Sequence, residues 1–535
     1  MNRLHRFLYT VVSAILFSAA WYEWGTGLFL LLAFIPLLFL EDHLSLTTRK
    51  GVYRSVFLYA SLTFLLWNIL TTWWIKNASF VGLIAAVLVT TLLMSVAFLM
   101  YSVTKRLWGR IVGYSSLILF WLMYEFSYNH GEISWPWLTL GNGFLYSIPL
   151  IQWYEFTGVF GGSLWILVSN ILLYELLRKY RTGIRVRTLK SLILSSLLVI
   201  LLPIALSLFM YYHYHENEDP VEIVVVQPNI DPYLKFNDMP QIEQTRIQIT
   251  EAATLTSSST DYVVAPETSI SGQFWIDQLE YIPDIRLIRA FMHQYPKLKY
   301  VVGIYCYEQY SSAKERTKTA RPLGNSGYYY DTHNSAIQLD STANIPIYHK
   351  SKLVTGVEKM PYTWLFKPLE KLTVRLGGIF RSHGIQDFRE VFKASDSDAK
   401  VAPVICYESV FGEFVGEYIL AGANIIFVIT NDGWWGNTPG HRQHNGLSRL
   451  RAVETRRSIA RSANTGISCF INQRGDIVKE LTWWKRGAIK TSLNLNNKIT
   501  FYSRYGDYIG KFGFYLALTL LAGMIVKMIS RIIKS

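Results

Sequence analysis

Long apolar runs, separated by short polar loops, fill the first 212 residues of the chain, and one further run lies near the C-terminus. A membrane-spanning helix needs roughly 20 mostly apolar residues. The runs that approach this length lie at about 7–22, 25–40, 55–75, 79–103, 111–127, 159–177, 191–212 and 511–530. The sequence therefore predicts a polytopic α-helical membrane bundle of about eight helices, seven within residues 1–212 and the eighth, with a tail, within 509–535.

Residues 213–508 contain no such run and are predicted to form one inserted domain. Strand-like segments alternate there with helical patterns near 238–256 and 441–458, which favours an α/β layer fold. The strand-like segments are Val221–Gln227, Tyr262–Pro266, Tyr300–Tyr305, Ala402–Cys406 and Asn424–Thr430, followed by a hairpin of Ile467–Ile471 and Ile477–Leu481.

The formal net charge of +14 fits either nucleic-acid binding or the basic loops of a membrane protein. Many of the cations cluster in alternate short loops, after the second, fourth, sixth and eighth apolar runs. The positive-inside rule then predicts that both termini are cytoplasmic and that residues 213–508 lie outside the cytoplasm. This distribution explains much of the basic charge without a nucleic-acid partner. Five tryptophans near the opposite loops are predicted to form an interfacial belt: Trp73, Trp74, Trp135, Trp137 and Trp153.

Three side chains suited to nucleophilic catalysis lie at or just after predicted strand ends. Cys406 follows an apolar strand at a predicted sharp turn into a helix, where a helix N-terminus and nearby cations would lower the thiol pKa. Glu267 is a candidate general base and Lys350 a candidate stabiliser of an oxyanion. Taken singly, Glu267 also fits a solvated carboxylate, Lys350 a surface lysine, and Cys406 a buried structural cysteine.

Other residues were weighed as alternatives to these three. The odd, small number of cysteines argues against a disulfide framework, and Cys306 and Cys469 are expected to be buried. His441 and His444 lie on a predicted helix and are expected to be structural or supporting. No metal-ligand spacing, phosphate loop or dinucleotide motif is convincing, so no metal or cofactor is predicted.

The motifs around Glu267, Lys350 and Cys406, in this order, resemble those of the nitrilase superfamily. Further similar segments are Ile429–Gly436, Arg451–Glu454 and Arg461–Gly466. The arrangement of seven helices before such a domain and one after it resembles one membrane branch of this superfamily, the apolipoprotein N-acyltransferases. The segments Ser134–Gly141 and Val226–Phe236 are also similar to motifs of that branch. The resemblance implies a four-layer αββα sandwich joined to the membrane bundle.

The resemblance also implies a reaction and a location. A phospholipid would donate an acyl chain to Cys406, and the thioester would acylate the N-terminal amine of S-diacylglyceryl-cysteine in an apolipoprotein. The location would be the bacterial cytoplasmic (inner) membrane, with the catalytic domain on the periplasmic side. Residues matching supporting or substrate-binding positions of the family are Glu358, Tyr407, Glu408, Trp434 and Phe236.

Two departures from the family pattern are predicted to affect donor or acceptor preference: the run Val354–Glu358, and Phe236 where tryptophan is common. Met360–Phe380 is amphipathic and fits either a mobile arm at the bilayer or a packed surface helix. Two other functions remain open: a membrane-anchored amidase or nitrilase, and a lipoprotein-binding protein on an inactive scaffold. An intact set of Glu267, Lys350 and Cys406 speaks against the second.

Overall fold

The structure is a computed structural model that describes residues 1–47, 51–360, 362 and 382–534. Most of the predicted amphipathic segment Met360–Phe380 lies outside the described residues, as does the side chain of Phe236. The chain divides into two compact units, one of Met1–His213 with Tyr505–Ser535 and the other of Tyr214–Arg504.

The first unit is helical wherever a membrane helix is predicted. Its helices are α1 (Arg3–Ala19), α2 (Leu30–Ala33), α3 (Ile35–Thr47), α4 (Val52–Thr72), α5 (Phe80–Trp108), α6 (Arg110–His130), α7 (Tyr154–Arg181), α8 (Lys190–His213) and a C-terminal helix, Tyr508–Lys534. Among the described residues, 6 helical segments are long and apolar enough to cross a membrane. α1, with 17 residues, and α6 are not among the six. The predicted helical membrane bundle is confirmed, with the number of crossings approximate.

Charged side chains inside this unit are paired with one another. Asp42 on α3 accepts hydrogen bonds at 2.9 Å from Lys105 on α5 and from Arg110 on α6, and Lys105 also pairs with Glu41. Charges that are costly to bury are thereby neutralised between helices.

Three of the five tryptophans of the predicted interfacial belt, Trp74, Trp137 and Trp153, are buried within the helical unit. Trp74 and Trp137 are fully buried, with ring centroids 5.1 Å apart. Their packing buries a large apolar area inside the helical unit.

The second unit consists of two packed sheets with helices on both sides. Its strands are β1 (Pro220–Gln227), β2 (Tyr262–Val264), β3 (Ile270–Trp275), β4 (Lys299–Tyr310), β5 (Arg321–Pro322), β6 (Tyr329–Leu339), β7 (Ile347–His349), β8 (Phe392–Ala394), β9 (Ser397–Ile405), β10 (Ile425–Thr430), β11 (Ile459–Ala463), β12 (Ser468–Ile471), β13 (Ile477–Leu481) and β14 (Gly487–Asn494). Its helices are α9 (Pro232–Asn237), α10 (Gln241–Ala253), α11 (Pro283–Met292), α12 (Gly412–Leu420), α13 (Pro439–Thr455) and α14 (Phe501–Tyr505).

The first sheet runs β14-β1-β2-β4-β6-β5, with β3 paired to β4 and β7 to β6, and the second runs β13-β12-β11-β10-β9-β8. α10 and α11 pack on the first sheet, whereas α12 packs on β9 and α13 on α12. Every residue of β10 is buried, as expected for a parallel strand covered on both faces. The predicted nitrilase-like αββα sandwich is confirmed.

The strand ends position the candidate residues. β1, β2 and β4 run parallel in one sheet, and β9, β10 and β11 run parallel in the other. Glu267 lies three residues beyond the end of β2, Lys350 directly follows β7, and Cys406 directly follows β9.

Candidate active site

Lys350 lies between two carboxylates at the centre of the site. Its Nζ is 2.9 Å from Oε1 of Glu267 and 2.9 Å from Oε1 of Glu358. Lys350 is 1% exposed, so both ion pairs are shielded from water. Burial alone would lower the pKa of Lys350, but the two carboxylates outweigh it and hold that pKa well above its usual value. The ammonium charge is therefore a permanent feature of the site.

Asn334, on β6, connects the same two carboxylates. Its Nδ2 donates to Oε1 of Glu267 at 2.8 Å and to Oε1 of Glu358 at 3.1 Å. Sequence reasoning missed this residue, because the run Asp331–Ser335 around it is polar and gives no apolar strand signal. Glu358 is further held by the Val354 N–H, which donates to its Oε2 at 2.9 Å.

Cys406 sits at the strand-to-helix turn that the sequence predicts. β9 ends at Ile405, a 3-10 helix of Cys406–Val410 follows, and Cys406 adopts a left-handed φ of 50°. Burial and the negative charge of Glu267 raise the thiol pKa, against the opposing charge of Lys350. The predicted lowering of this pKa is therefore wrong, because burial outweighs the nearby cation. The resting thiol is protonated and needs a base.

Glu408 joins the segment that contains Cys406 to the segment that contains Lys350. Its Oε2 accepts from the Ile405 N–H at 2.8 Å, and its Oε1 accepts from the Ser351 N–H and the Tyr348 hydroxyl, both at 2.7 Å. This fully buried carboxylate aligns the ends of β7 and β9. The contacts favour a positioning role over direct substrate binding.

The two predicted aromatic supports pack against other aromatic rings. The Tyr407 ring meets Phe411 edge-on at 5.2 Å, and the Trp434 ring meets Tyr233 of α9 edge-on at 5.4 Å. Among the predicted site residues, Lys350 directly contacts Glu267 and Glu358. The catalytic roles of Glu267, Lys350 and Cys406 and the supporting role of Glu358 stay predictions.

Lys235 is a second buried lysine that sequence reasoning missed. It is 3% exposed, and its Nζ donates at 3.2 Å to the Glu267 backbone oxygen and at 3.2 Å to Thr268 Oγ1. Burial lowers its pKa to about 7, although the charge of Glu267 acts in the opposite direction. The signal for Lys235 in the sequence was its position next to Phe236 within the motif Val226–Phe236.

His444, on α13, reaches the backbone of Cys406. Its Nε2 is 3.1 Å from the Cys406 carbonyl oxygen, and its Nδ1 is 2.9 Å from Oδ1 of Asp432. Arg461 donates at 2.7 Å to the other Asp432 oxygen. Burial raises the pKa of Asp432, but Arg461 and His444 outweigh it and hold that pKa far below its usual value.

Within the described part of the second unit, two clusters contain metal-ligating side chains, and in both the existing contacts argue against a bound ion. In the first, Glu308 lies near His333 and His349, whose rings stack 4.1 Å apart. The in-plane lone pairs of stacked rings do not converge on one ion. The second cluster consists of Cys406, Asp432 and His444. Both ring nitrogens of His444 already contact protein groups, the Asp432 carboxylate and the Cys406 carbonyl oxygen.

Comparison with known proteins identifies the family of this fold and site. Residues 223–499, more than half of the chain, match the family profile described as carbon-nitrogen hydrolase. The chain belongs to the carbon-nitrogen hydrolase family. Residues 13–172 of this carbon-nitrogen hydrolase family member also match the apolipoprotein N-acyltransferase N-terminal domain.

Curated relatives of this family member carry the same branch name. The apolipoprotein N-acyltransferase of Chlorobaculum tepidum is 28% identical over 89% of this chain and 88% of its own. The apolipoprotein N-acyltransferase of Geobacter metallireducens is 27% identical over 94% of this chain and 92% of its own. Among solved structures, an amidase from Nesterenkonia sp. aligns with a TM-score of 0.36 and 15% identity over 52% of this chain and 92% of its own. The predicted resemblance to the apolipoprotein N-acyltransferases is confirmed, and the relatives support an acyltransferase.

Proposed function

We propose that this protein transfers an acyl chain from a membrane phospholipid, through a thioester on Cys406, to the N-terminal amine of S-diacylglyceryl-cysteine in an apolipoprotein. The observation that carries the proposal is the buried Glu267–Lys350–Glu358 cluster, in which the charges of Glu267 and Lys350 act on the Cys406 thiol. The names of the relatives support lipoprotein N-acylation as the outcome.

The first half-reaction forms the thioester. Glu267 removes the thiol proton, and the sulfur attacks an ester carbonyl of the phospholipid. Lys350 stabilises the tetrahedral oxyanion with a charge that is already in place. The intermediate collapses by breaking the ester C–O bond, and the lysophospholipid oxygen takes the proton from Glu267.

The second half-reaction uses the same groups. The neutral α-amine of the diacylated cysteine attacks the thioester carbonyl, and Glu267 accepts a proton from the nitrogen. The C–S bond breaks, the amide is released, and the proton returns to the Cys406 sulfur. No cofactor or metal enters this scheme.

Intact-mass analysis of the purified protein with phosphatidylethanolamine tests the first half-reaction. We expect an acyl adduct on the wild type that is absent from Cys406→Ala. An adduct that persists in Cys406→Ala would contradict the proposed nucleophile.

The acceptor separates acyl transfer from the hydrolysis of an amidase or nitrilase. The acylated protein is mixed with a diacylglyceryl-cysteine peptide or with buffer alone. We expect the adduct to survive in buffer and to move to the peptide amine. Rapid release of free fatty acid without peptide would instead favour a hydrolase.

A further inference from the structure

The nucleophile occupies a backbone conformation that needs external support. The left-handed region, where Cys406 lies with a φ of 50°, is disfavoured for any residue with a Cβ. Such strain persists when the surrounding structure enforces it. The Cys406 carbonyl oxygen is held on one side by Ser409, whose Oγ donates at 2.7 Å.

His444 contacts the same carbonyl from the neighbouring helix α13. Its Nε2 is 3.1 Å from the Cys406 oxygen and 3.0 Å from Ser409 Oγ. A proton on Nε2 allows the ring to donate to the carbonyl while Ser409 keeps its own bond. Nδ1 then faces the Asp432–Arg461 ion pair, at 2.9 Å from the carboxylate and 3.0 Å from the guanidinium. The Asp432 carboxylate can accept a hydrogen bond from a protonated Nδ1, and the Arg461 guanidinium can donate one to an unprotonated Nδ1.

The row of three charged or polar side chains is completely buried. His444, Asp432 and Arg461 are each 0% exposed. Burying the Asp432–Arg461 ion pair costs desolvation free energy, so a contribution to stability does not by itself explain the pair. Its geometry instead fixes the orientation of one imidazole, as partners behind a working histidine do.

The ring also lies close to the thiol itself. Cys406 Sγ, a carboxylate oxygen of Asp432 and a ring nitrogen of His444 all lie within 4.8 Å of one another. This resembles the arrangement in which histidine is the base of a cysteine nucleophile. The hydrogen-bond distance from Nε2 to the Cys406 carbonyl oxygen favours a bond to the backbone over proton transfer with the sulfur.

We infer that His444, backed by Asp432 and Arg461, is a positioning residue that holds the Cys406 carbonyl and so keeps the thiol oriented toward Glu267 and Lys350. The inference rests on the proposed function, in which Cys406 is the nucleophile. Its test therefore includes alkylation of the thiol, which needs no acyl donor.

The full-length protein is compared with His444→Leu, which removes the donor, and His444→Gln, which restores an N–H near the position of Nε2 without a titratable ring. His441→Leu is the matched control, because His441 is equally buried on α13 but stacks on Trp483. Carboxamidomethylation of Cys406 by iodoacetamide is followed by peptide mass mapping from pH 6 to 9. Single-turnover acylation by phosphatidylethanolamine and the melting temperature are measured in parallel.

We expect His444→Leu to slow both reactions by about ten- to hundredfold, the usual cost of a misplaced reacting group. His444→Gln should recover most of the rate with the wild-type pH profile, and His441→Leu should react like the wild type at a comparable melting temperature. Wild-type rates in His444→Leu would overturn the inference. So would a His444→Gln variant as slow as His444→Leu with an altered pH profile, because the ring would then transfer the proton.

If His444→Leu does not fold, Asp432→Asn provides the test, since it keeps the ring and removes the charge behind it. Slower alkylation would support the inference, and a wild-type rate would overturn it. Failure of the proposed function is distinguishable: alkylation would still depend on His444 while the wild type formed no acyl adduct.

Discussion

Asn334 is the residue whose contacts matter most beyond the predicted set. A single Nδ2 group donates to the catalytic candidate Glu267 and to Glu358, so it sets the spacing of two like charges around Lys350. Carboxylates this close would otherwise repel each other. The geometry of the proposed base therefore depends on a neutral side chain.

Replacement of Asn334 by leucine should impair catalysis more than folding. The lost bond to an ionised acceptor is worth about 1.5–3 kcal/mol, which is about ten- to hundredfold in rate if it acts in the transition state. The measurement is single-turnover acylation of Cys406. The control is Gln338→Leu on the same strand, whose amide donates to the Lys393 carbonyl oxygen outside the site. Equal rates in the two variants would contradict the proposed role.

Glu358 should make stability depend on acid pH. Burial raises its pKa, but Lys350 outweighs burial and holds the pKa below its ordinary value of 4.5. A carboxylate with a depressed folded pKa stabilises the protein above its unfolded pKa, and this stabilisation is lost as the pH falls through the folded value. Glu358→Gln should therefore lower the free energy of unfolding by about 1.5–3 kcal/mol at pH 7.

The stabilities of the wild type and Glu358→Gln should converge below about pH 4.5, because protonation of Glu358 there removes the ion-pair stabilisation that the variant already lacks. Melting temperatures in detergent between pH 7 and pH 3 measure this convergence. Parallel curves across the whole range would show that Glu358 does not titrate as inferred.

At the scale of elements, the site is made by strands whose backbones approach closely. Gly303 of β4 donates its N–H to the Pro266 carbonyl oxygen at 3.0 Å. A Cβ at Gly303 would lie 2.6 Å from both the Glu267 Cα and the Thr268 nitrogen. The glycine therefore lets β4 support the segment that carries Glu267.

Gly303→Ala should displace Glu267 and reduce acylation by about a hundredfold, since small misplacements of a reacting group have effects of this size. Gly416→Ala on α12 is the control, because its Cβ would have only ordinary contacts, 3.6 Å or more from Ser503. That control should keep full activity and gain about 0.5–1 kcal/mol from helix propensity. Full acylation by Gly303→Ala would show that the backbone tolerates the shift.

At the scale of the whole molecule, the distribution of basic residues predicts how the chain crosses the membrane. Arg181 ends α7, and Arg185 and Arg187 follow in the loop that leads to α8, whereas the nitrilase-like unit follows α8 in the sequence and precedes the C-terminal helix. Translocation of basic loops is disfavoured, so this loop should be cytoplasmic and the unit extracytoplasmic.

Cysteine labelling tests this orientation. Both substitutions are made in a Cys406→Ala background, which leaves only the fully buried Cys306 and Cys469 as native thiols. Ser326→Cys lies at an exposed position of the nitrilase-like unit and Thr182→Cys at an exposed position of the basic loop. In intact cells with a permeabilised outer membrane, an impermeant maleimide should label Ser326→Cys only. Thr182→Cys should react after lysis. The opposite pattern would reverse the predicted topology.

The sequence by itself determined the features that depend on local patterns. Apolar runs of helical length predicted the membrane bundle, and strand–helix alternation predicted the α/β unit. Each pattern reflects the burial of residues that are close in the sequence. The order of Glu267, Lys350 and Cys406 was also readable, since each lies in a recognisable local motif.

Only the tertiary structure decided how these residues act on one another. Lys350 meets Glu267 and Glu358 through strand pairings between distant segments, and Asn334, Lys235 and His444 approach from other elements of the unit. A one-residue change of strand register would turn such side chains to the opposite face, so their convergence is not encoded in any single stretch. Burial, which exists only in the folded unit, is also what raises the thiol pKa of Cys406 where the local sequence predicted the reverse.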